Sequence, residues 1–363
     1  MSKESPPSGN TQQIAAAAFQ RQSAYKRRLI LLISALALIM AVIAINAGAA
    51  DTHPVQVLRA LLGLENGLSS VVIWNIRLPR IAAGITAGIG LAAAGCVMQT
   101  CLRNPLASPF TLGISNAAAF GANLAIVFFN AGTMYSSTQD AVFINNPYLV
   151  TISAFVFSLL SMILILFLAR LRGFSPESVV LAGVAFGSLF AAGSALVQYF
   201  ADDIQVAAMV FWTFGDLGRV SWLEAAILST LTISALLYFM IHRWNYNTLE
   251  SGEDTARGLG VNVEKVRFRS MLAASLVTAA AVSFMGIIGF IGLIAPQMMR
   301  RVLGNDHRYL ILASGVTGAA LLLFADTMAR TLVSPAVLPV GAITSFFGAP
   351  LFLLILAKGY YRR

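Results

Sequence analysis

The sequence is short of charge, of cysteine and of histidine, and each shortage excludes a class of function. Charged residues are 11% of the 363, against about 25% in soluble domains. Hydrophobic residues, with glycine left out, reach 58%. Such a chain cannot cover itself with polar surface in water, and it reads as an integral membrane protein. The two cysteines, Cys96 and Cys101, sit in one apolar run at an offset that leaves them on different helix faces. They read as packing residues rather than a redox pair. His53, His242 and His307 lie in separate connecting segments, and no Cys/His/Asp cluster has metal-ligand spacing. No metal site is expected.

Nucleotide chemistry is missing too. No G-x-x-x-x-G-K-[ST] phosphate loop occurs, and Gly258-Leu259-Gly260 lacks the third glycine and the preceding strand of a dinucleotide site. The chain therefore holds no catalytic residues and no cofactor of its own, and any ATP has to be hydrolysed by a partner. Carriers driven by ions use intramembrane carboxylates or histidines as relays. Here only Asp326 lies clearly inside an apolar run, four residues before Arg330, a spacing that suggests an ion pair at a helix end. An ion-driven secondary carrier is thus the weaker alternative, and a membrane enzyme lacks convergent polar groups.

What the sequence does have is apolar length. Residues 1–28 are polar and are expected to form a disordered or loosely helical cytoplasmic tail; after it comes LILLISALALIMAVIAINAG from Leu29. Its basic flank and Ala47-Gly48-Ala49 imitate a secretory signal, but the run is too long for one and matches the ~20 residues that span a bilayer. Further runs lie near 81–102, 110–129, 147–169, 178–200, 225–241, 309–330 and 336–357. The stretch 270–299 carries no charge and has Gly286, Gly289, Gly292 and Pro296 in its middle, so it is read as a full helix to Ile288 and a short irregular return. This gives an all-α polytopic fold of about ten transmembrane helices. The apolar stretch after Asp202 and Asp203 is too short to span and is expected to form a short helix at the outer face.

An even number of spans puts both termini on one side. With that side cytoplasmic, only Arg59, Arg77, Arg80, Arg219 and Arg330 of the 24 Lys and Arg face outward, as the positive-inside bias demands. The net charge of +9 is thereby explained as a topology signal at the lipid headgroups, with no nucleic acid implied. Gly84 and Gly88, and Gly183 and Gly187, recur at the four-residue spacing that lets helix backbones approach; packing within one subunit, a second subunit and a substrate path are all open readings. The charged segment ESGEDTARGLGVNVEKVRFR, 250–269, interrupts the apolar pattern on the cytoplasmic side. Its glycines suggest two short helices with a break, a natural place to receive an energy-supplying partner.

Several segments together resemble the FecCD family, the permease subunits of ABC importers for iron-siderophores, haem and cobalamin. They are IRLPR at 76–80, NPLASPFTLGISN at 104–116, LAGVAFG at 181–187, SGEDTARGLGV at 251–261, GFIGLIAPQMMR at 289–300, DHR at 306–308, ADTMAR at 325–330 and LPVGAITSFFGAP at 338–350. The resemblance runs from about residue 29 to the end. It implies a ten-helix permease in the cytoplasmic membrane that pairs with a second copy or a paralogue. It also implies a cytoplasmic ATPase dimer and an extracytoplasmic substrate-binding protein as partners. The cargo it implies is an iron chelate, a siderophore first, with haem or cobalamin as the alternative.

The resemblance further places residues. Gly252, Glu253, Ala256, Arg257, Leu259 and Gly260 fall in the coupling helices that meet the ATPase. Ser175, Pro176 and Glu177 fall at the cytoplasmic gate, and Gly183, Gly187, Ser345 and Gly348 along the translocation path. Arg77, Arg80 and Arg330 fall where family members receive glutamates of the binding protein. Two positions depart from the pattern: Ala117 stands where the family usually has Gly, and Gln297 where it usually has His.

Overall fold

Nearly every apolar run folds as a helix, because a backbone deprived of water must satisfy its N–H and C=O groups within the segment. The computed structural model describes residues 9–47, 54–64, 67–129, 132–134, 142–144, 146–171, 173–334 and 336–360. In chain order the elements are α1 (Gly9–Asn46), α2 (Pro54–Leu61), α3 (Leu68–Val72), a π-helical turn (Ile73–Arg77), α4 (Leu78–Cys101) and α5 (Ile114–Phe128). A small antiparallel hairpin follows, β1 (Gly132–Met134) with β2 (Val142–Ile144), Gly132 opposite Ile144. Then come α6 (Pro147–Leu171), α7 (Pro176–Tyr199), α8 (Asp203–Thr213), a 3-10 turn (Leu217–Arg219) and α9 (Trp222–Ile241). The rest is α10 (Arg243–Glu250), α11 (Glu253–Gly258), α12 (Val263–Met285), α13 (Ile291–Leu303), α14 (His307–Thr331) and α15 (Val340–Tyr360).

Among the described residues, seven helices are long and apolar enough to cross a bilayer, and α5 and α15 are shorter apolar helices. With α13, the expected short return, each of the ten anticipated runs has its helix. The centre is α4, whose sequence LPRIAAGITAGIGLAAAGCVMQTC is mostly small residues and is buried almost throughout. Small side chains let neighbouring backbones close in: a Cβ on Gly88 would lie 2.5 Å from the Ala319 Cα of α14. Apolar residues of α4, α12 and α14 fill two core clusters, one toward each end of the bundle. Only 11% of the apolar window of α1 is buried, and 28% for α7 and α9. The remaining faces carry Leu, Ile and Val toward the surroundings.

Helix ends are set by capping. Ser175 Oγ accepts from Ser178 N (3.2 Å) at the start of α7, and Asn262 Oδ1 accepts from Lys265 N (3.0 Å) at the start of α12. Ser221 and Glu224 form a capping box on α9. The short helix after Asp203 is α8, as anticipated.

Helix α1 starts at Gly9 and runs through residue 28 unbroken, the helical of the two readings of the tail; residues 1–8, Gly48 and Ala49 lie outside the described residues. The structure differs from the sequence reading in two places. The second of the two short helices anticipated in 250–269 is instead the first turn of the long helix α12, since Asn262 caps it and Val263 and Val266 bury against the core. The short pieces are α10 and α11. Finally, the second span begins early, because α3 and the π-helical turn lead into α4 without interruption.

Candidate functional site

One end of the bundle carries α10, α11, the α6–α7 connection and the last turn of α4. Helix α11 stands between Gly252 (φ 121°) and Gly260 (φ 81°). A Cβ on Gly260 would meet nothing within 4 Å, so the left-handed backbone, not lack of space, selects glycine there. Ala256 is fully buried and anchors α11, whereas Leu259 is 66% exposed. Arg257 is also largely exposed, its partner in the chain being Glu253 at 3.7 Å. Beside them an open groove of about 450 Å³ is lined by Arg257, Gly260, Val261, Asn262, Val263 and Glu264. An apolar residue and an unburied cation held out on a rigid, glycine-bounded turn make a surface suited to another protein.

Arg267 is 1% exposed. Its Nε donates to the Cys101 carbonyl (2.8 Å), Nη1 to the Phe174 carbonyl and Nη2 to Glu253. Nearby, His307 is buried, its Nε2 2.7 Å from Thr100 Oγ1 and its Nδ1 2.9 Å from Asn247 Oδ1. Arg300 donates to the same Thr100 hydroxyl (2.8 Å) and pairs with Glu250 (3.3 Å). Asp306 caps α14; burial pushes its carboxyl up, but hydrogen bonds from Arg308 and Asn247 outweigh that and hold it below the ordinary carboxylate value.

The residues assigned to the gate adjoin this network. Gly173 (φ 70°) and Phe174 (φ 60°) turn the chain between α6 and α7, and Ser175 and Pro176 then start α7, with Glu177 exposed. The four residues expected along the path divide into two pairs. A Cβ on Gly183 would lie 3.1 Å from Leu112 Cα, and one on Gly187 3.3 Å from Gly113 Cα, so both face the turn before α5 in the same chain. Ser345 and Gly348 of α15 face the segment that opens α13: a Cβ on Gly348 would lie 2.7 Å from Phe290 Cβ. Of the two departures, Ala117 is fully buried in α5, and Gln297 Nε2 donates to Gln99 Oε1 (3.1 Å) and the Pro105 carbonyl (3.0 Å).

The opposite end holds Arg77, Arg80 and Arg330, and they are turned inward: each is at most 7% exposed. Asp326, 1% exposed, joins Arg80 and Arg330. Its Oδ1 accepts from Arg80 Nε (2.9 Å), and its Oδ2 from Arg330 Nε (3.1 Å). Arg80 also pairs with Asp216 at 3.0 Å. The arginines then hold the end of α1: Arg77 Nη1 donates to the Ile45 carbonyl (2.6 Å), Arg330 Nη1 to that of Ala47 (2.6 Å) and Arg330 Nη2 to that of Ala44 (3.0 Å). Orphan carbonyls at a helix C-terminus are thus met by cations. The expected Asp326 and Arg330 pair is present; the tie to Arg80 is not visible at local spacing.

Two functional candidates escaped the sequence reading. Arg267 lies in the charged segment 250–269, yet Val263, Val266, Arg267 and Ser270 are all buried at the spacing of one helix face, and that register is the available signal. His307 carried no signal beyond its place in DHR.

Comparison with known proteins fits this geometry. The FecCD transport family profile matches residues 36–358. An ABC transporter permease protein so named in Methanocaldococcus jannaschii is 57% identical over 307 residues, covering 85% of this chain and 87% of that protein. The hemin transport system permease protein of Yersinia pestis is 37% identical, covering 79% and 83%. A solved structure described as an inward-facing metal-chelate type ABC transporter superposes with a TM-score of 0.76 at 28% identity, over 92% of this chain and 99% of that one.

Proposed function

Because the chain belongs to the FecCD transport family, we propose that it is the membrane permease through which an ABC importer moves an iron chelate, a siderophore, by alternating access. The chain is a transport subunit and not an enzyme, and the importers of its class carry iron chelates, haem or cobalamin. The observation that carries the reading is α11: a short helix with Arg257 and Leu259 exposed at its tip, set between two positive-φ glycines and tied to the bundle core through Glu253. In the proposal this end is cytoplasmic, as are both termini, and Gly252, Glu253, Ala256, Arg257, Leu259 and Gly260 form the seat for one ATPase subunit. A second permease, identical or paralogous, supplies the other seat.

ATP closing the ATPase pair would displace α11, and the bundle would alternate between inward and outward openings. Ser175, Pro176 and Glu177 gate the inner mouth, and Gly183, Gly187, Ser345 and Gly348 adjoin the path. At the outer end a substrate-binding protein delivers the cargo. Arg77, Arg80 and Arg330 contribute there by fixing the helix ends that frame the docking surface. The buried Asp326 is already engaged by two arginines, which leaves it poorly suited to the relay an ion-driven carrier needs. The test is co-purification with the partner ATPase of the importer. Association is expected for the native chain and loss of it for the double variant Arg257→Glu, Leu259→Ala; association unaffected by that double variant would refute α11 as the seat.

A further inference from the structure

Among the described residues Arg267 is the most buried cation, and nothing in the transport cycle above uses it. Withdrawing a guanidinium from water is costly unless it is paired and hydrogen-bonded. Arg267 meets that condition with partners on three different segments. Nε binds the carbonyl of Cys101, the last residue of α4; Nη1 binds the carbonyl of Phe174, between α6 and α7; Nη2 binds Glu253, the first residue of α11. A guanidinium is planar and its donors point in fixed directions, so the three segments are held in one mutual arrangement. Capping α4 needs only the first of these bonds.

The middle partner is a strained one. Phe174 has φ 60°, a left-handed conformation that non-glycine residues rarely adopt, and it is buried with its ring edge-on to Phe268 of α12, centroids 6.2 Å apart. Its carbonyl is held in that conformation by the same side chain that holds α11. Ser175, which caps α7, is the next residue.

We propose that Arg267 is a positioning residue that transmits displacement of α11 to the α6–α7 connection, along Glu253, Arg267 and Phe174 to Ser175. The proposal rests on α11 being the ATPase seat. A load on the exposed tip at Arg257 and Leu259 moves Glu253; Arg267 follows, and the Phe174 carbonyl is released or drawn with it. The gate segment thereby changes state without any direct contact with the ATPase.

The test uses the full permease with its ATPase and reads the gate by cysteine labelling at Glu177→Cys, an exposed position. The native Cys96 and Cys101 are fully buried, so the background is low. In the otherwise native chain, trapping the ATPase with ATP and vanadate changes the labelling rate severalfold. Arg267→Lys keeps the charge but not the fork, and Arg267→Gln keeps a donor but neither the charge nor the fork. In both, the nucleotide response is expected to shrink at least threefold relative to the native chain, while ATPase still co-purifies, and ATP consumed per cargo imported rises. A native-sized response in both variants overturns the relay alone. Loss of folded protein, ATPase association and labelling in equal proportion makes Arg267 a structural tie and also overturns it. No nucleotide response in the native background overturns the importer reading, and the relay with it.

Discussion

Replacing Asp326 with leucine tests what Arg80 and Arg330 do. Asp326 is 1% exposed and accepts from Arg80 at 2.9 Å and Arg330 at 3.1 Å. Its removal strands two guanidiniums that are 7% exposed. Breaking a buried pair by deleting one partner costs about 3–5 kcal/mol, a large part of the ~5–15 kcal/mol that separates folded from unfolded in typical domains. Asp216 remains beside Arg80 at 3.0 Å, and the α1 carbonyls remain on Arg330, so the lower end of that range applies. The assay is the fraction of monodisperse permease surviving a heating series in detergent, with binding-protein association measured on what survives. Asp326→Leu should lower the midpoint clearly, and Asp326→Asn, which keeps an acceptor, should lower it less. If the arginines were instead a partner's contact points, freeing them from Asp326 would strengthen binding-protein association and leave stability intact. That result would refute the clasp.

Three further outcomes follow from the geometry. Arg257→Glu should weaken ATPase association about tenfold or more, since interfacial charge pairs couple by ~1.5–7 kcal/mol, while the permease itself survives, its Arg257 pair being exposed and 3.7 Å long; titrated pull-down reads it. Gly260→Ala forces a side chain to φ 81° and should cost about 1–2 kcal/mol, whereas Gly258→Ala, with open space and no positive φ, should be near neutral; paired thermal melts decide. Gly88→Ala would place a Cβ 2.5 Å from Ala319 Cα, and overpacking of this kind costs about 1–3 kcal/mol, so it should destabilise more than Gly187→Ala, whose nearest contact is 3.3 Å.

The order of the apolar helices was legible because a bilayer requires long apolar runs, and the irregular return was legible from Gly286, Gly289, Gly292 and Pro296; the short helices α2 and α3 were not. The pairing of Asp326 with Arg330 could be read from a spacing of one helical turn. What could not be read is what joins residues far apart in the chain: Arg80 to Asp326, and Arg267 to Cys101 and Phe174. Side-chain charge alone reports solvation as the default, and Arg77, Arg80, Arg267 and Arg330 are all buried. Only packing decides whether a cation meets lipid, a partner or a helix end. The glycines of α7 likewise show in sequence that something comes close; that the neighbour is the turn before α5 is a property of the fold.

The most direct test of the central claim is uptake into proteoliposomes holding this chain and its partner ATPase, with a ferric chelate and its binding protein outside. The account predicts accumulation that requires the ATPase and internal ATP and that no proton or sodium gradient can replace. Accumulation by the purified chain alone under an ion gradient would contradict it.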